Sequence, residues 1–454
     1  MSDGWNRFHT QTCYLCHMLH LFEKHLENHF PDLLGKKMLV AVSGGIDSMV
    51  LVDLLVVLKQ NITLAHVNFQ LREADSDADQ LFLETYAQKN DIPCFVKSFD
   101  TRTFVKSEKI SIQEAARKLR YAWFEELIKT HHFDYLLTAH HLDDSLETFL
   151  IHLSRGTGID GLLGIPERNE KIVRPLLIFS KAQIIAYADT RNLAWREDIS
   201  NQSDKYLRNR IRHHVVPELK KLNEDFLGNF QKTLTQLQSS AAFIKNQIED
   251  FKNIYFHKTK NGIEIPLETL STYKPEESFL FELFKPYHFT DWKALKELLE
   301  AQSGKQLFST THRLIKDRSK LILIELNNES VEGEYLIEGN NTEITQPIHL
   351  KISDANTIQK GNHCEIYLDK NSLKFPLILR KWQQGDYFYP SGMGGKKKVS
   401  KWFKDEKISL PEKENTWVLS TENQIVYLVG KRADQRFLAD EKTENLIRIT
   451  YYPT

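Results

Sequence analysis

Residues 41–48 read AVSGGIDS, after the apolar run 38–42 and before a helix-like run, 49–58. A strand, a Gly-rich turn and a helix start make a cradle for phosphate, because free backbone N–H groups and the positive end of the helix dipole both face the anion. A kinase-type loop would carry G-x-x-x-x-G-K-[ST], and no Lys follows these glycines. A dinucleotide loop would carry G-x-G-x-x-G, and the third Gly is missing. The stretch offers instead the hydroxyls of Ser43 and Ser48, the backbone of Gly44, Gly45 and Ile46, and one carboxylate, Asp47. Asp47 is placed to hold a metal beside whatever phosphate is bound.

Outward from this loop, apolar strands alternate with helices. Strands are expected at 38–42, 62–68, 93–99 and 135–139, and helices at 47–59, 75–89 and 111–129. Short, nearly all-apolar strands in that alternation predict an α/β fold with a parallel sheet covered on both faces. Ligands in such sheets lie at the C-terminal ends of strands, where 43–48 and 140–144 both fall. After about 215 the pattern changes to one long helix at 222–256, a strand at 262–267, helices near 276–285 and 291–301, and a strand at 321–326. The Asn/Glu/Gly-rich run 327–342 reads as linker, and 372–454 as short strands with Gly-rich turns. The expected domains are a catalytic domain at 1–215 (core from about 36), a mostly helical central domain at 216–330, a linker region at 331–370 and a small α+β domain at 371–454.

A chain of 454 residues fits two to four domains, and 41% hydrophobic with 27% charged residues describes an ordinary core and surface. No apolar run approaches the roughly 18 residues of a membrane span, and the N-terminus lacks a basic-then-apolar signal. Four cysteines make no disulfide framework, so a cytoplasmic protein is expected. Cys13-x-x-Cys16 has no second pair to complete a metal site, and Met18 is an alternative start beyond it. With net charge −1, a nucleic-acid partner must be held by local patches.

Three further stretches carry chemistry. In AHHLDDSLET, 139–148, a helix starting near Leu142 puts Asp144 and Glu147 i,i+3 on one face, with His140 about a turn earlier. Acids at a helix start can merely favour the dipole. Two His and two Asp at the edge that also carries Asp47 instead suit a metal-nucleotide site, with carboxylates for Mg²⁺ and a base or orienter for a nucleophile. Residues 201–221 hold six Lys/Arg against two Asp/Glu, and Arg208 and Arg212 are i,i+4. Arg117 and Arg120, on the helix 111–129, add cations suited to phosphate. Residues 380–407 hold eight Lys/Arg against three Asp/Glu, interleaved with Trp382, Tyr387, Phe388, Tyr389, Trp402 and Phe403. Cations for phosphates and flat rings for exposed bases suit single-stranded or loop RNA, although Trp402 reads equally well as core.

Together these stretches resemble one family. S-G-G-x-D-S resembles the loop of the N-type ATP pyrophosphatases, the PP-loop superfamily, which split ATP between the α and β phosphates. A-H-H-x-D-D-x-x-E-T, then S-R-G-T-G at 154–158 with Gly161-Leu162, R-P-L-L at 174–177, E-D-x-S-N at 197–201 and R-N-x-I-R at 208–212 are similar in order and spacing to the tRNA(Ile)-lysidine synthetase family. The run from GDYF through KKKVSKWFKDEKI to VYLVGKRAD resembles that family's last domain, so the likeness spans about 20–450.

The resemblance implies a ligase that joins L-lysine to C2 of the wobble cytidine in the CAU anticodon of an isoleucine tRNA. The C2 oxygen is first adenylated by ATP with release of pyrophosphate, and the lysine ε-amine then displaces AMP. It implies ATP as substrate, Mg²⁺, tRNA-binding central and C-terminal domains, and no membrane; oligomeric state stays open, a homodimer included. Carried over by position, Ser43 to Ser48 line the ATP phosphates. Asp47 and Asp144 hold metal, His140 orients or transfers a proton, and Asp144 and Glu147 meet the metal or the lysine amine. Arg117 and Arg208 face the α-phosphate, with Arg120 and Arg212 as alternates. Arg212, Lys396, Lys397, Lys398, Lys401 and Lys404 bind tRNA. The competing readings are another base-adenylating tRNA enzyme such as a thiolase, disfavoured because no Cys lies near Asp144 or Arg208, and a non-catalytic ATP-dependent tRNA-binding protein.

Overall fold

The computed structural model describes residues 17–71, 74–196, 207–272, 276–326, 333–339, 342–359 and 364–453. The chain divides into two compact units, Met1–Ile244 and Lys245–Thr454.

The first unit is built on six strands: β1 (Met38–Ala41), β2 (Ile62–Asn68), β3 (Cys94–Ser98), β4 (Tyr135–Leu137), β5 (Arg168–Asn169) and β6 (Ile172–Val173), in the order β3-β2-β1-β4-β6-β5. All neighbours are parallel except β5 and β6. Its helices are α1 (17–29), α2 (Ile46–Val57), α3 (Ala74–Lys89), α4 (Thr101–Glu108), α5 (Ile112–His131), α6 (Leu142–Arg155), α7 (Lys181–Thr190), α8 (Leu207–Arg210) and α9 (Val216–Leu222).

The period of two along the strands divides the core. Met38, Val40, Ile62 and Leu64 pack with Phe22 of α1, the inner face of α2 and Ile184 of α7. Leu39, Ala65 and Val67 point the other way, onto Trp123, Phe124, Leu127 and Ile128 of α5. A sheet buried on both faces has no polar side, which is why its strands read as continuous apolar runs. The strand order reverses between β1 and β4, and the loops leaving their C-terminal ends flank the crevice that this reversal opens.

The long helix α10 (Phe226–Tyr255) starts four residues later than expected. Its first turns bury Phe230 and Leu234 against Leu142 and Leu146 of α6 and Ile211 and Val216.

The second unit begins with a five-stranded antiparallel sheet of β7 (His257–Thr259), β8 (Gly262–Pro266), β9 (Gln306–Phe308), β10 (His312–Asp317) and β11 (Lys320–Glu325), ordered β7-β8-β11-β10-β9. Helices α11 (Leu267–Leu270), α12 (Glu276–Phe284) and α13 (Trp292–Glu300) accompany it. Only β8 and β11 were legible as strands; β7 and β9 have three residues each, too few to carry a period.

The stretch expected as linker, 331–370, is instead built into sheets. It supplies β12 (Tyr335–Ile337), β13 (Thr342–Ile344), β14 (His349–Ala355) and β15 (Glu365–Asp369). These join β16 (Leu377–Lys381), β17 (Tyr387–Phe388), β18 (Lys397–Lys398), β19 (Trp417–Thr421), β20 (Gln424–Leu428), β21 (Arg432–Ala433) and β22 (Leu446–Tyr452). One sheet runs β12-β16-β19-β20-β21 and another β13-β14-β22-β15, over a shared core that includes Ile337, Ile352, Leu379, Leu419, Tyr427 and Ile449. In β14 only Leu350 and Ile352 are buried, so a polar outer face gave the strand a loop-like composition. Helices α14 (Val399–Asp405) and α15 (Leu410–Glu414) complete this part. Among the described residues no helix is long and apolar enough to cross a membrane.

Candidate active site

The loop after β1 holds its shape through its own hydroxyls. Ser48 Oγ donates to Gly45 O at 2.8 Å, Ser43 N donates to Ser48 Oγ at 3.3 Å, and Gly45 N donates to Ser43 Oγ at 3.3 Å. Gly44 has φ +84°, a left-handed conformation that a side chain would strain. Gly45 caps α2 in extended conformation, and Asp47 stands in the first turn.

The loop after β4 brings a second helix start to the same place. His141 caps α6 and its N–H donates to Asp144 Oδ2 at 3.1 Å. The buried His141 ring lies among three carboxylates: Nε2 is 3.7 Å from Asp47 Oδ1 and 3.5 Å from Asp144 Oδ2, and Nδ1 is 3.9 Å from Asp143 Oδ2. A third helix start arrives with α7, capped by Ser180. Lys181 N donates to Asp143 Oδ2 at 2.8 Å, and Lys181 Nζ donates to Asp47 Oδ1 at 2.6 Å. Three helix N-termini and an ammonium therefore meet around Asp47, the electrostatic setting an oligophosphate needs. Lys181 reaches this loop from 134 residues away, whereas a kinase-type loop carries its lysine within the motif.

Glu147, one turn into α6, is clamped by two guanidinium groups. Arg208 Nε donates to Oε2 at 2.8 Å, while Arg212 donates from Nε to Oε1 at 2.6 Å and from Nη2 to Oε2 at 2.9 Å. Both also approach Asp144 Oδ1, at 3.5 and 3.3 Å. Burial alone would raise the pKa of Asp144, but His141, Arg208, His140 and the His141 N–H outweigh it and hold the carboxyl below its usual range. Burial likewise opposes the charge on Arg212, and its bonds to Glu147 outweigh that, raising its pKa. Sequence reading aimed these arginines at phosphate; in the structure their partners are carboxylates of α6. Arg117 and Arg120 are stacked on rings, Arg117 over Tyr121 at 4.8 Å and Arg120 over Phe69 at 5.2 Å.

His140 Nδ1 lies 3.0 Å from Thr138 Oγ1. Burial, opposed by Asp144 and reinforced by Arg174, Arg208 and His141, lowers its pKa to about 4. The imidazole is thus neutral at pH 7. The unfolded chain takes up this proton near 6.5 and the folded chain only near 4, so the stability the neutral ring confers is full above 6.5 and is lost as pH falls through about 4. Across pH 6.5 to 4 the wild-type denaturant midpoint is expected to fall more than that of His140→Gln. Equal falls would mean that His140 titrates as it does in water.

Sequence reading grouped His141 and Asp143 with His140 and Asp144 but gave them no role, and it did not bring Lys181, which bonds Asp47, or Lys220, which bonds Asp143, to the cluster. The first two sit inside the quoted 139–148 stretch; Lys181 has only the Ser180–Gln183 capping box to mark a helix start beside it. The E-D-x-S-N stretch, 197–201, and Cys13 and Cys16 lie outside the described residues. Among the described residues no group of three or more His, Cys, Asp or Glu forms a ready metal cage.

In the second unit Lys396 Nζ sits 3.4 Å above the Tyr387 ring centroid, and Lys397 is paired with Asp405 at 2.8 Å. Lys398, just before α14, and Lys401 and Lys404 on it are exposed. The interleaved rings are mostly not free for bases. Phe388, Trp402 and Phe403 are buried with Val399 and Val418, and Trp382 Nε1 donates to Lys413 O at 2.7 Å. Val399, Trp402 and Phe403 are i, i+3 and i+4, the spacing of a helix's core stripe. Tyr389 is covered by Arg436 at 4.3 Å, and Tyr387, 38% exposed, carries Lys396 over one face.

The PP-loop domain family matches residues 18–219, the TilS substrate binding domain 258–326 and the TilS substrate C-terminal domain 377–450. A tRNA(Ile)-lysidine synthase of Parabacteroides distasonis is 35% identical over 441 residues, 96% of this chain and 100% of that protein. Those of Bacteroides thetaiotaomicron and Porphyromonas gingivalis (strain W83) are 36% and 33% identical, covering 93% and 89% of this chain and 97% and 92% of the relatives.

Proposed function

The chain belongs to the tRNA(Ile)-lysidine synthase family, and we propose that it is the ligase that joins L-lysine to C2 of the wobble cytidine in the CAU anticodon of an isoleucine tRNA, at the expense of ATP and in the cytoplasm. The observation that carries this reading is the meeting of the α2, α6 and α7 N-termini around the Asp47–Lys181 pair, beside the clamped carboxylates of α6.

The chemistry needs two steps. The C2 carbonyl of cytidine is urea-like and its oxygen a poor leaving group, so the oxygen first attacks the α-phosphorus of ATP and pyrophosphate leaves. Residues 43–48 and Lys181 hold the β and γ phosphates, where helix ends and an ammonium stabilise the charge that gathers on pyrophosphate. Arg208, which spends one close bond on Glu147 against two from Arg212, is the proposed α-phosphate partner, and Arg117, stacked on Tyr121, is a second candidate. The fit for Mg²⁺ rests on the donor set. Asp47 and Asp144 flank one imidazole nitrogen at 3.7 and 3.5 Å, and Mg²⁺ takes one or two carboxylates and completes its shell with phosphate oxygens and water. These two residues would hold it, and it would neutralise charge on the phosphates.

In the second step the lysine ε-amine attacks C2 and AMP departs with the former C2 oxygen. With a pKa of ≈10.4, only roughly one amine in a few thousand is neutral at pH 7, so a carboxylate must draw the ammonium in and take its proton. Asp144 suits this better than Glu147, because its side chain is 13% exposed against 2%. His140, kept neutral by burial and 3.0 Å from Thr138 Oγ1, has no charge to draw the ammonium in and acts as a hydrogen-bonding orienter. Thiolation is disfavoured: burial pushes the Cys94 thiol up to about 11, far from a reactive thiolate.

The deciding experiment is incubation with ATP, radiolabelled lysine and a CAU-anticodon isoleucine tRNA, followed by nucleoside analysis. A labelled lysine–cytidine adduct is expected, and its absence with pyrophosphate still released would redirect the reading to another base-adenylating reaction. The cations Lys396, Lys398, Lys401 and Lys404 are proposed to grip tRNA phosphate. Replacing Lys396, Lys398 and Lys401 by Ala should flatten the log K versus log[salt] slope by up to about 0.7–0.9 per lost contact and raise KM for tRNA more than KM for ATP. Filter binding checks this, and unchanged affinity and slope would move the tRNA contact to other cations.

A further inference from the structure

Residues 207–222 form one helical run with a π-helical turn, Ile211–Val215, set between α8 and α9. Val216 N–H bonds to Ile211 O, five residues back. Pro217 explains the widening, since it has no N–H to offer and its ring would press on the carbonyl four residues earlier. The wide turn sets the angular phase of α9. At about 100° per residue, Arg212 lies about 40° from Arg208, and in an unbroken α-helix Lys220 would lie about 120° from Arg208, off the face that meets α6. One residue absorbed in a π turn takes back about 100° and returns Lys220 to within about 20° of both arginines.

The contacts agree with that phase. Lys220 Nζ donates to Asp143 Oδ1 at 2.5 Å, while Arg208 and Arg212 engage Glu147, four residues along α6. Asp143 is buried, and its other oxygen takes Lys181 N at 2.8 Å. The ion pair therefore ties the end of the arginine-bearing helix to the point where α6 and α7 begin. We infer that the π turn and Lys220 are a positioning device that holds Arg208 and Arg212 in register with the α6 carboxylates, an inference resting on the adenylation reading above. Lys220 touches neither the loop 43–48 nor Glu147; it acts through the arginines.

The test is Lys220→Met and Lys220→Arg in the full chain. Displacement of reacting groups by about 1 Å costs on the order of 10²-fold in rate. Lys220→Met should therefore lower tRNA-dependent pyrophosphate release per titrated active site by about 10²-fold, with KM for ATP changed by no more than about threefold. Lys220→Arg should recover most of the loss. A purely structural role would lower melting temperature and the fraction of active sites while each remaining site turned over at the wild-type rate, and that result would overturn the inference. A crystal structure of Lys220→Met reads positioning without any activity: Arg212 off Glu147 supports it, and both Arg212–Glu147 bonds retained overturns it. Wild-type enzyme that releases no pyrophosphate would count against the adenylation reading, while the crystallographic arm still decides this one.

Discussion

Asp47→Asn is expected to lower tRNA-dependent pyrophosphate release by about 10³-fold while leaving the fold intact. Asp47 is the acid of the 43–48 loop, and it meets both the Lys181 ammonium at 2.6 Å and the His141 ring at 3.7 Å. Asn keeps the size and the helix-start geometry and removes the charge. A neutral amide binds Mg²⁺ weakly, and the ion's charge is then missing where pyrophosphate forms. Stability should change little, because Asp47 and Lys181 are each about one-third exposed and such pairs contribute around 0–1 kcal/mol. The measurement is pyrophosphate release against Mg²⁺ concentration, with circular dichroism as the control for folding. A variant with the wild-type rate and Mg²⁺ dependence would remove Asp47 from the metal site.

The second large effect separates the two half-reactions. Asp144→Asn should lower lysine incorporation by about 10²-fold or more, within the range of losing a general base, and lower adenylation less, because Asp47 would still hold Mg²⁺, so that adenylated tRNA accumulates. The residue lies 3.5 Å from His141 and 3.3 Å from Arg212, at the start of α6, and against the effect of burial its carboxyl is held below the usual range by His141, Arg208 and His140. Glu147→Gln should behave differently. Glu147 is almost fully buried and receives three bonds from two arginines, so its loss frees both guanidinium groups and should depress adenylation as well. Single-turnover assays that follow AMP transfer and lysine transfer separately make the comparison. Should both steps fall together in Asp144→Asn, its role is with metal or ATP, and the lysine amine is received elsewhere.

Much of this site was legible before any coordinates, because its parts are local. The loop 43–48 announces itself through glycines and hydroxyls that only a strand-to-helix turn can use. The 139–148 stretch shows its acids at helical spacing, and Arg208 with Arg212 shows the same i,i+4 interval. Alternating apolar strands and helices forced a parallel sheet, and a parallel sheet puts both loops on one edge.

The remaining features depend on long-range packing. Nothing near Lys181 in sequence marks it as the partner of Asp47; the pair exists because α7 packs on α2 beneath the sheet's C-terminal edge. Trp402 carries the same ring whether it stacks a base or fills a core, and its neighbours Phe388 and Val418 decided for the core. The strands of 331–370 looked like linker because half of their residues face water, and they became strands only through pairing with partners such as β16 and β22. The amino-acid sequence by itself determined the periodicities and turn chemistry, since these depend on the conformational preferences of a few adjacent residues. Only the tertiary structure decided which distant charges meet and which rings are buried, because those energies depend on desolvation and on separations that local spacing does not encode.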